Sequence, residues 1–405
     1  MRFKTGRVVL PLAVAGALAL TACSNGGSND NAGGGLGSGS SSSSGGSSSN
    51  QTYKIAFEGP LSGDNQQLGI NEVNGVQVAI NEANASGNLP FKLDLFKADD
   101  QGDPAVAPTV AAQVLQDNSV LGVVGPAFSG ATKAVATNYG QANLTMISPS
   151  ATNDTLTQSG FTTFHRVVPP DSLEGTELAN YLVSKKYKKV VVIDDLSDYG
   201  KGVADTVQAA LDKAGVPEQR IGVDAKTTDY GSTAAQVAGA GADAMFYGGY
   251  DAQAGQLAKA LTAAGFKGDK YTGNGGKSTV FTQGAGASGD GWYFSCGCSD
   301  AVTAPAAQSF AAAYKKVANA DPSTYSPEAY DAANALIEAI KTAAKNGTPT
   351  RQSVNEAVNA LNYKGITTTV QFDKSGELAA SSQIINLFQQ QNGQIKILGD
   401  IKTQK

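Results

Sequence analysis

The chain has 405 residues, only 16% of them charged, and a formal net charge of −5. Past the first fifty residues this is enough for two domains of ordinary size, and the lack of long basic runs argues against nucleic acid as a partner. A single histidine, His165, argues against a His-based metal site or a Ser-His-Asp triad, so neither metal, cofactor nor catalysis is expected.

The chain opens on a basic stretch with Arg2, Lys4 and Arg7, then an apolar run from Val8 to Leu20. That run is short of the roughly 20 residues a spanning helix needs and reads as a signal peptide. Leu20-Thr21-Ala22-Cys23 resembles the bacterial lipobox, which implies lipidation of Cys23 and a signal covering 1–23. Residues 24–52 are almost wholly Ser, Gly and Asn. This composition predicts a disordered tether with a reach of roughly 30 Å. The expected address is the outer face of the cell membrane, held by the lipid alone.

The folded part begins with a strand at Tyr53–Phe57 and a loop, Gly59-Pro60-Leu61-Ser62-Gly63. Val73, Val76, Ile80 and Ala83 recur at helical spacing, and that helix ends near Ser86-Gly87. Phe91–Phe96 reads as the second strand. Asp103-Pro104 opens a helix, and short strands follow at Gly122–Gly125 and Thr145–Ser148. After a break at Pro169-Pro170 the pattern repeats. Strands are expected at Val190–Ile193, near Ile221, at Ala244–Tyr247 and at Tyr271, with helices at Gly202–Ala214, Ala234–Ala238 and Gln253–Ala264 between them. Alternation of this kind predicts parallel sheets covered by helices. Two such runs make an α/β chain of two lobes, with ligand expected at the carboxyl ends of strands.

Trp292–Cys298 reads as a strand entering a loop. Residues two apart on a strand face one side, and about 6.6 Å separates their Cα atoms when fully extended. A bend at Gly297 brings Cys296 and Cys298 within disulfide range, and exported thiols usually oxidise. Two half-buried free thiols are the alternative. Gly276-Lys277-Ser278 is no P-loop, since that motif needs a glycine where Tyr271 stands.

Taken in order, several pieces resemble the leucine/isoleucine/valine-binding group of type I solute-binding proteins of ABC transporters. They are Gly59–Gly63 with Gly69; Asp99-Asp100 with Asp103-Pro104; Gly125 with Ser129; Ser148–Thr152; Arg166 with Asp171-Ser172 and Gly175; Asp198-Tyr199-Gly200; Tyr247–Tyr250; and Phe372-Asp373 with Gly376. The resemblance implies two doubly wound parallel-sheet lobes joined by a three-crossover hinge, at 53–169 plus 299–377 and at 170–298 plus 378–405. It further implies a monomer that captures an amino-acid-like ligand, branched-chain first, and delivers it to a membrane permease.

The resemblance also assigns the site. A serine at position 129 serves the ligand carboxylate, beside free N–H groups at a helix start. Taken alone, Ser129 reads as an ordinary N-cap. The backbone at Ser150 and the hydroxyl of Thr152 contact carboxylate and ammonium. Tyr199 and Tyr250 face the ligand, Tyr325 and Leu68 line its side-chain pocket, and Phe128, Ala151 and Asn274 complete the set. One position departs. The family's ammonium-binding acid falls at Gly275, and a buried ammonium without a counter-charge is costly. Asp198 or Asp251 compensates, or backbone carbonyls suffice, or the ligand is a different carboxylate or an amide. A ligand-sensing lipoprotein that signals to a partner uses the same lobes and stays open as a second function.

Overall fold

The computed structural model describes residues 51–404. The lipobox Cys23, the signal and nearly all of the tether lie outside the described residues. Among those described, no helix is long and apolar enough to cross a membrane.

The first sheet is built from β1 (Thr52–Gly59), β2 (Lys92–Asp99), β3 (Val120–Val124), β4 (Thr145–Ser148) and β5 (Phe164–Arg166), with α1 (Gln66–Ala85), α2 (Ala107–Gln116), α3 (Ser129–Gln141) and the short α4 (Thr155–Gln158) between them. All of its strands are parallel, in the order β2-β1-β3-β4-β5. The second sheet begins after α5 (Asp171–Ser184). It takes β6 (Val190–Asp194), β7 (Glu218–Gly222), β8 (Ala244–Gly248), β9 (Asp269–Thr272) and β10 (Trp292–Cys296), interleaved with α6 (Asp198–Lys213), α7 (Gly231–Gly239), α8 (Asp251–Ala263) and α9 (Thr279–Ala285).

The chain then returns to the first sheet. Here α10 (Gln308–Ala318) and α11 (Ser326–Lys345) pack on α1, and α12 (Arg351–Asn359) packs with α11 over β3 and β4. After the small ladder β11 (Tyr363–Lys364) and β12 (Thr369–Val370), it goes back to add β13 (Asn386–Gln391) and β14 (Gln394–Asp400) to the second sheet, giving the order β14-β13-β10-β9-β8-β6-β7. These two strands run antiparallel, so the second sheet is mixed where the sequence pattern predicts a parallel one. Asn392 and Gly393 both have positive φ, 53° and 72°, the signature of a tight two-residue hairpin turn, which sets β14 antiparallel to β13. Strand β13 itself enters antiparallel beside β10 as the chain returns from the first sheet.

Two helix starts move. The helix expected at Asp103-Pro104 begins at Ala107, because Asp103 first closes a turn of its own, accepting from Ala105 N at 2.8 Å on its side chain and from Val106 N at 2.9 Å on its carbonyl. The helix expected at Gly202 begins at Asp198, capped by Ser197 Oγ, which accepts from Gly200 N at 2.9 Å. Its glycines are there for packing: a Cβ on Gly200 would sit 2.1 Å from Asp195 Oδ1 and 2.6 Å from Gly248 O. Cys296 and Cys298 are joined by a disulfide, their Cα atoms 5.1 Å apart.

The apolar strands bury both faces of each sheet, as helices on both sides require. Strand order reverses beside β1 and β3 in one sheet and beside β6 and β8 in the other. These switch points are where loops part and leave room for a ligand.

Candidate functional site

The loops at the two switch points meet around one small enclosed cavity. From the first sheet come Ala127, Phe128 and Ser129, which follow β3, and Ser150, which follows β4; Leu68 comes from α1. From the second come Tyr199 of α6, Tyr250 just after β8, and Asn274 and Gly275 after β9. Tyr325 closes it from the start of α11. Of the ligand-contact residues that the resemblance implies, all but Ala151 and Thr152 line this space. Those two lie behind it, fully or nearly buried.

Ser129 is the first residue of α3 and not its N-cap. That place belongs to Phe128, which makes no side-chain cap. Ser129 Oγ accepts from Asn153 N at 3.3 Å, which leaves the hydroxyl proton to donate. With the unpaired N–H groups of the first helical turn beside it, this end of the cavity is suited to a carboxylate. Ser150 Oγ donates to Ala127 O at 2.7 Å and ties the two first-sheet loops together.

The opposite walls are aromatic. Phe128 and Tyr250 stack across the cleft with centroids 4.1 Å apart at 18°, and Tyr199 leans on Tyr250 at 5.3 Å. Tyr325 is held in the left-handed region at φ 67°. For a bulky residue this costs about 1–3 kcal/mol and persists where the surroundings impose it. In this geometry only about 10 Å³ remains between the walls, roughly the space of one water. A ligand therefore enters only if the walls separate.

No carboxylate lines the cavity. Asp251 is fully buried and its oxygens are occupied, Oδ1 by Asn65 Nδ2 at 2.7 Å and Oδ2 by Ser278 Oγ at 2.5 Å. Asp198 pairs with Lys133 at 2.7 Å. Neither stands in for the acid absent at position 275. The reason no side chain occupies that position is steric. A Cβ on Gly275 would lie 2.6 Å from Tyr199 Cε1 and 2.8 Å from Gly249 O, while Gly275 N donates to Tyr199 Oη at 3.0 Å. The Tyr199 ring fills the space a side chain would need.

Acids do stand behind the wall. Glu174 accepts from Asn274 N at 3.0 Å, from Asn274 Nδ2 and from Ser295 Oγ at 2.8 Å, and burial pushes its carboxyl up to about 7 despite those bonds. Asp171 is fully buried behind Thr152, and burial raises it as well. Arg166, from β5, reaches under the loop after β4. It donates to Asn153 O at 2.9 Å, to Ala151 O at 3.3 Å and to both oxygens of Glu377. Arg166 and Asp171 stood among the motif pieces without an assigned role, and Glu174 was not singled out. Their partners are distant in sequence, which no local pattern reveals. Among the described residues, no group of three His, Cys, Asp or Glu is placed to hold a metal.

Residues 52–393 match the family described as periplasmic binding protein. The chain is 29% identical over 342 residues to the Leu/Ile/Val-binding protein homolog 3 of Brucella melitensis, covering 83% of this chain and 90% of that one. It is 34% identical over 217 residues to the Leu/Ile/Val-binding protein of Citrobacter freundii, covering 53% of this chain and 59% of that protein. The solved branched-chain amino acid transporter substrate binding protein of Streptococcus pneumoniae, in complex with isoleucine, aligns with a TM-score of 0.78 at 28% identity, covering 86% of this chain and 100% of that one. The leucine binding protein of Thermotoga maritima shares the fold, with a TM-score of 0.78 at 23% identity over 85% and 97% of the two chains. With two doubly wound sheets meeting at a shared cavity and a match running almost their full length, the chain belongs to the periplasmic binding protein family and is a binding protein, not an enzyme.

Proposed function

We propose that this protein captures an amino acid between two lobes, 53–169 plus 299–377 and 170–298 plus 378–405, and passes it to an ABC permease while anchored through lipidated Cys23. The observation that carries the reading is the polarity of the cavity. Ser129 and the open first turn of α3 form a carboxylate-binding end, and Leu68, Phe128, Tyr199, Tyr250 and Tyr325 surround the rest with apolar surface. The Brucella and Citrobacter relatives, named for Leu, Ile and Val, and the isoleucine-bound Streptococcus structure point to branched-chain amino acids. Hinge closure is the motion such a cleft needs, and the Phe128–Tyr250 stack bridges its two sides.

The glycine at 275 favours a second ligand class, a carboxylate without an ammonium. Calorimetry with leucine, isoleucine, valine and 4-methylpentanoate separates the two, since the last is leucine without its amino group. Tighter binding of an amino acid supports the first reading, equal or tighter binding of 4-methylpentanoate supports the second, and no binding of any of them removes both. Under either, Ser129→Ala is expected to weaken the ligand by about 10- to 100-fold, the loss of a hydrogen bond to a charged group; unchanged affinity removes Ser129 from the site.

A further inference from the structure

A second and much larger cavity, about 630 Å³, lies on the far side of the wall that carries Asn274 and Tyr325. Its volume falls within the range of small-molecule sites. Lys277 lines it, three residues past Asn274, and is only 8% exposed. The ammonium has one hydrogen bond, to Thr324 Oγ1 at 3.1 Å, and rests 4.3 Å from the centroid of the Phe388 ring. An ammonium has three donors. Among the described residues no carboxylate lies within ion-pair distance of it.

The acids nearest in charge are Glu328 and Asp300; among the described residues neither forms an ion pair with it, although Glu328 Oε2 has no hydrogen-bond partner and Asp300 lines the cavity. Glu328 Oε1 accepts from Ser299 N at 2.7 Å, and burial holds that carboxyl up at about 7. Asp300 accepts from Val302 N at 3.1 Å and Thr303 Oγ1 at 2.5 Å. A buried cation without a counter-ion is costly, and the cost shows in Lys277, which burial depresses to about 8. Ser299 and Ser323 add hydroxyls to the cavity, while Val302, Ile395 and Ile397 give it an apolar side.

We propose that this cavity is a second binding site, taking a small aliphatic carboxylate whose anionic head pairs with the Lys277 ammonium and whose chain lies along Val302, Ile395 and Ile397. Its position ties it to the first cavity. Lys277 directly follows the turn Asn274–Gly276, Thr324 directly precedes Tyr325, and Thr324 Oγ1 donates to Lys277 O at 2.7 Å. A ligand here touches the same wall from behind.

The test is calorimetric titration of the whole protein with sodium butyrate at constant ionic strength, with butylammonium chloride as the charge-reversed control. Butyrate is expected to bind Lys277→Met at least about tenfold more weakly than the wild type, as loss of a charge-assisted contact predicts, and the Lys277-dependent binding is expected to persist in Ser129→Ala. Lys277→Gln is a second neutral variant that can still bond Thr324. Replacing a buried cation by a neutral side chain of similar length is usually tolerated by the fold. The proposal is overturned if butyrate does not bind the wild type, if both neutral variants bind it as the wild type does, or if Ser129→Ala abolishes binding, which places the carboxylate in the first cavity.

Discussion

Gly275 shows how one missing side chain propagates. The position has ordinary backbone room but no side-chain room, since Tyr199 and the Gly249 carbonyl already fill it. Gly275→Ala is therefore expected to overpack the wall and lower stability by about 1–3 kcal/mol, read as a shift of the midpoint in denaturant unfolding. An unchanged midpoint would mean that the Tyr199 ring swings aside. The same geometry explains why an acid cannot simply be restored there. Glutamate at 275 needs Tyr199 to move first, and Tyr199 Oη is held by Gly275 N. Glycine at 275 and the inward tyrosine at 199 are one packing solution.

At the level of elements, the loop after β4 is held by a residue from β5. Arg166 is fully buried and bonds two carbonyls of the loop and the carboxylate of Glu377, which is only 17% exposed at its side chain. Removing one partner of such a pair strands the other. Arg166→Met is expected to cost about 3–5 kcal/mol in chemical unfolding, and to weaken ligand binding through the displaced loop. A full-affinity, full-stability variant would show that the loop holds its shape without the clamp. The start of α6 works similarly: the Ser197 cap sets Tyr199 in the first turn, aimed at the cavity.

Across the whole molecule, the notable cost is in buried acids. Burial lifts Glu58 to about 8 and Asp100, Glu174 and Glu328 to about 7. Each binds a proton in the folded chain at a pH where the unfolded chain has released it. Their contribution to stability is thus complete below the ordinary carboxylate range and is lost as pH rises toward the folded value. Buried His165, whose value is lowered by burial, acts in the opposite sense below about 6.5. The expected net result is a fall in unfolding free energy from about pH 4.5 to about 7, continued to about 8 by Glu58 alone. The slope is about 1.4 kcal/mol per pH unit for each acid still protonated in the fold, with His165 offsetting one such slope below about 6.5. Glu58→Gln, which keeps an acceptor for the Tyr139 hydroxyl, should flatten the slope. A profile already flat in the wild type would contradict this.

Much of the design was legible in the order of residues alone. Alternating apolar runs and helical patterns depend only on near neighbours, so the α/β alternation and most strands from Tyr53 to Tyr271 could be read directly, the short β5 excepted. The rule that ligands gather at strand ends marked the residues after those strands, Ser129, Ser150 and Tyr250 among them, as places to look, and the family resemblance supplied their roles. Even the hairpin at Asn392-Gly393 carried a local signal, although the general alternation masked it. What chain order could not supply was every relation between residues far apart. The Phe128–Tyr250 stack, the Arg166 clamp, the exclusion of a side chain at 275 by Tyr199, and the buried ammonium of Lys277 exist only once the chain has folded and brought distant residues together. Local propensity decides which elements form. Close packing and the removal of charge from water decide what those elements can hold, and both are properties of the folded chain.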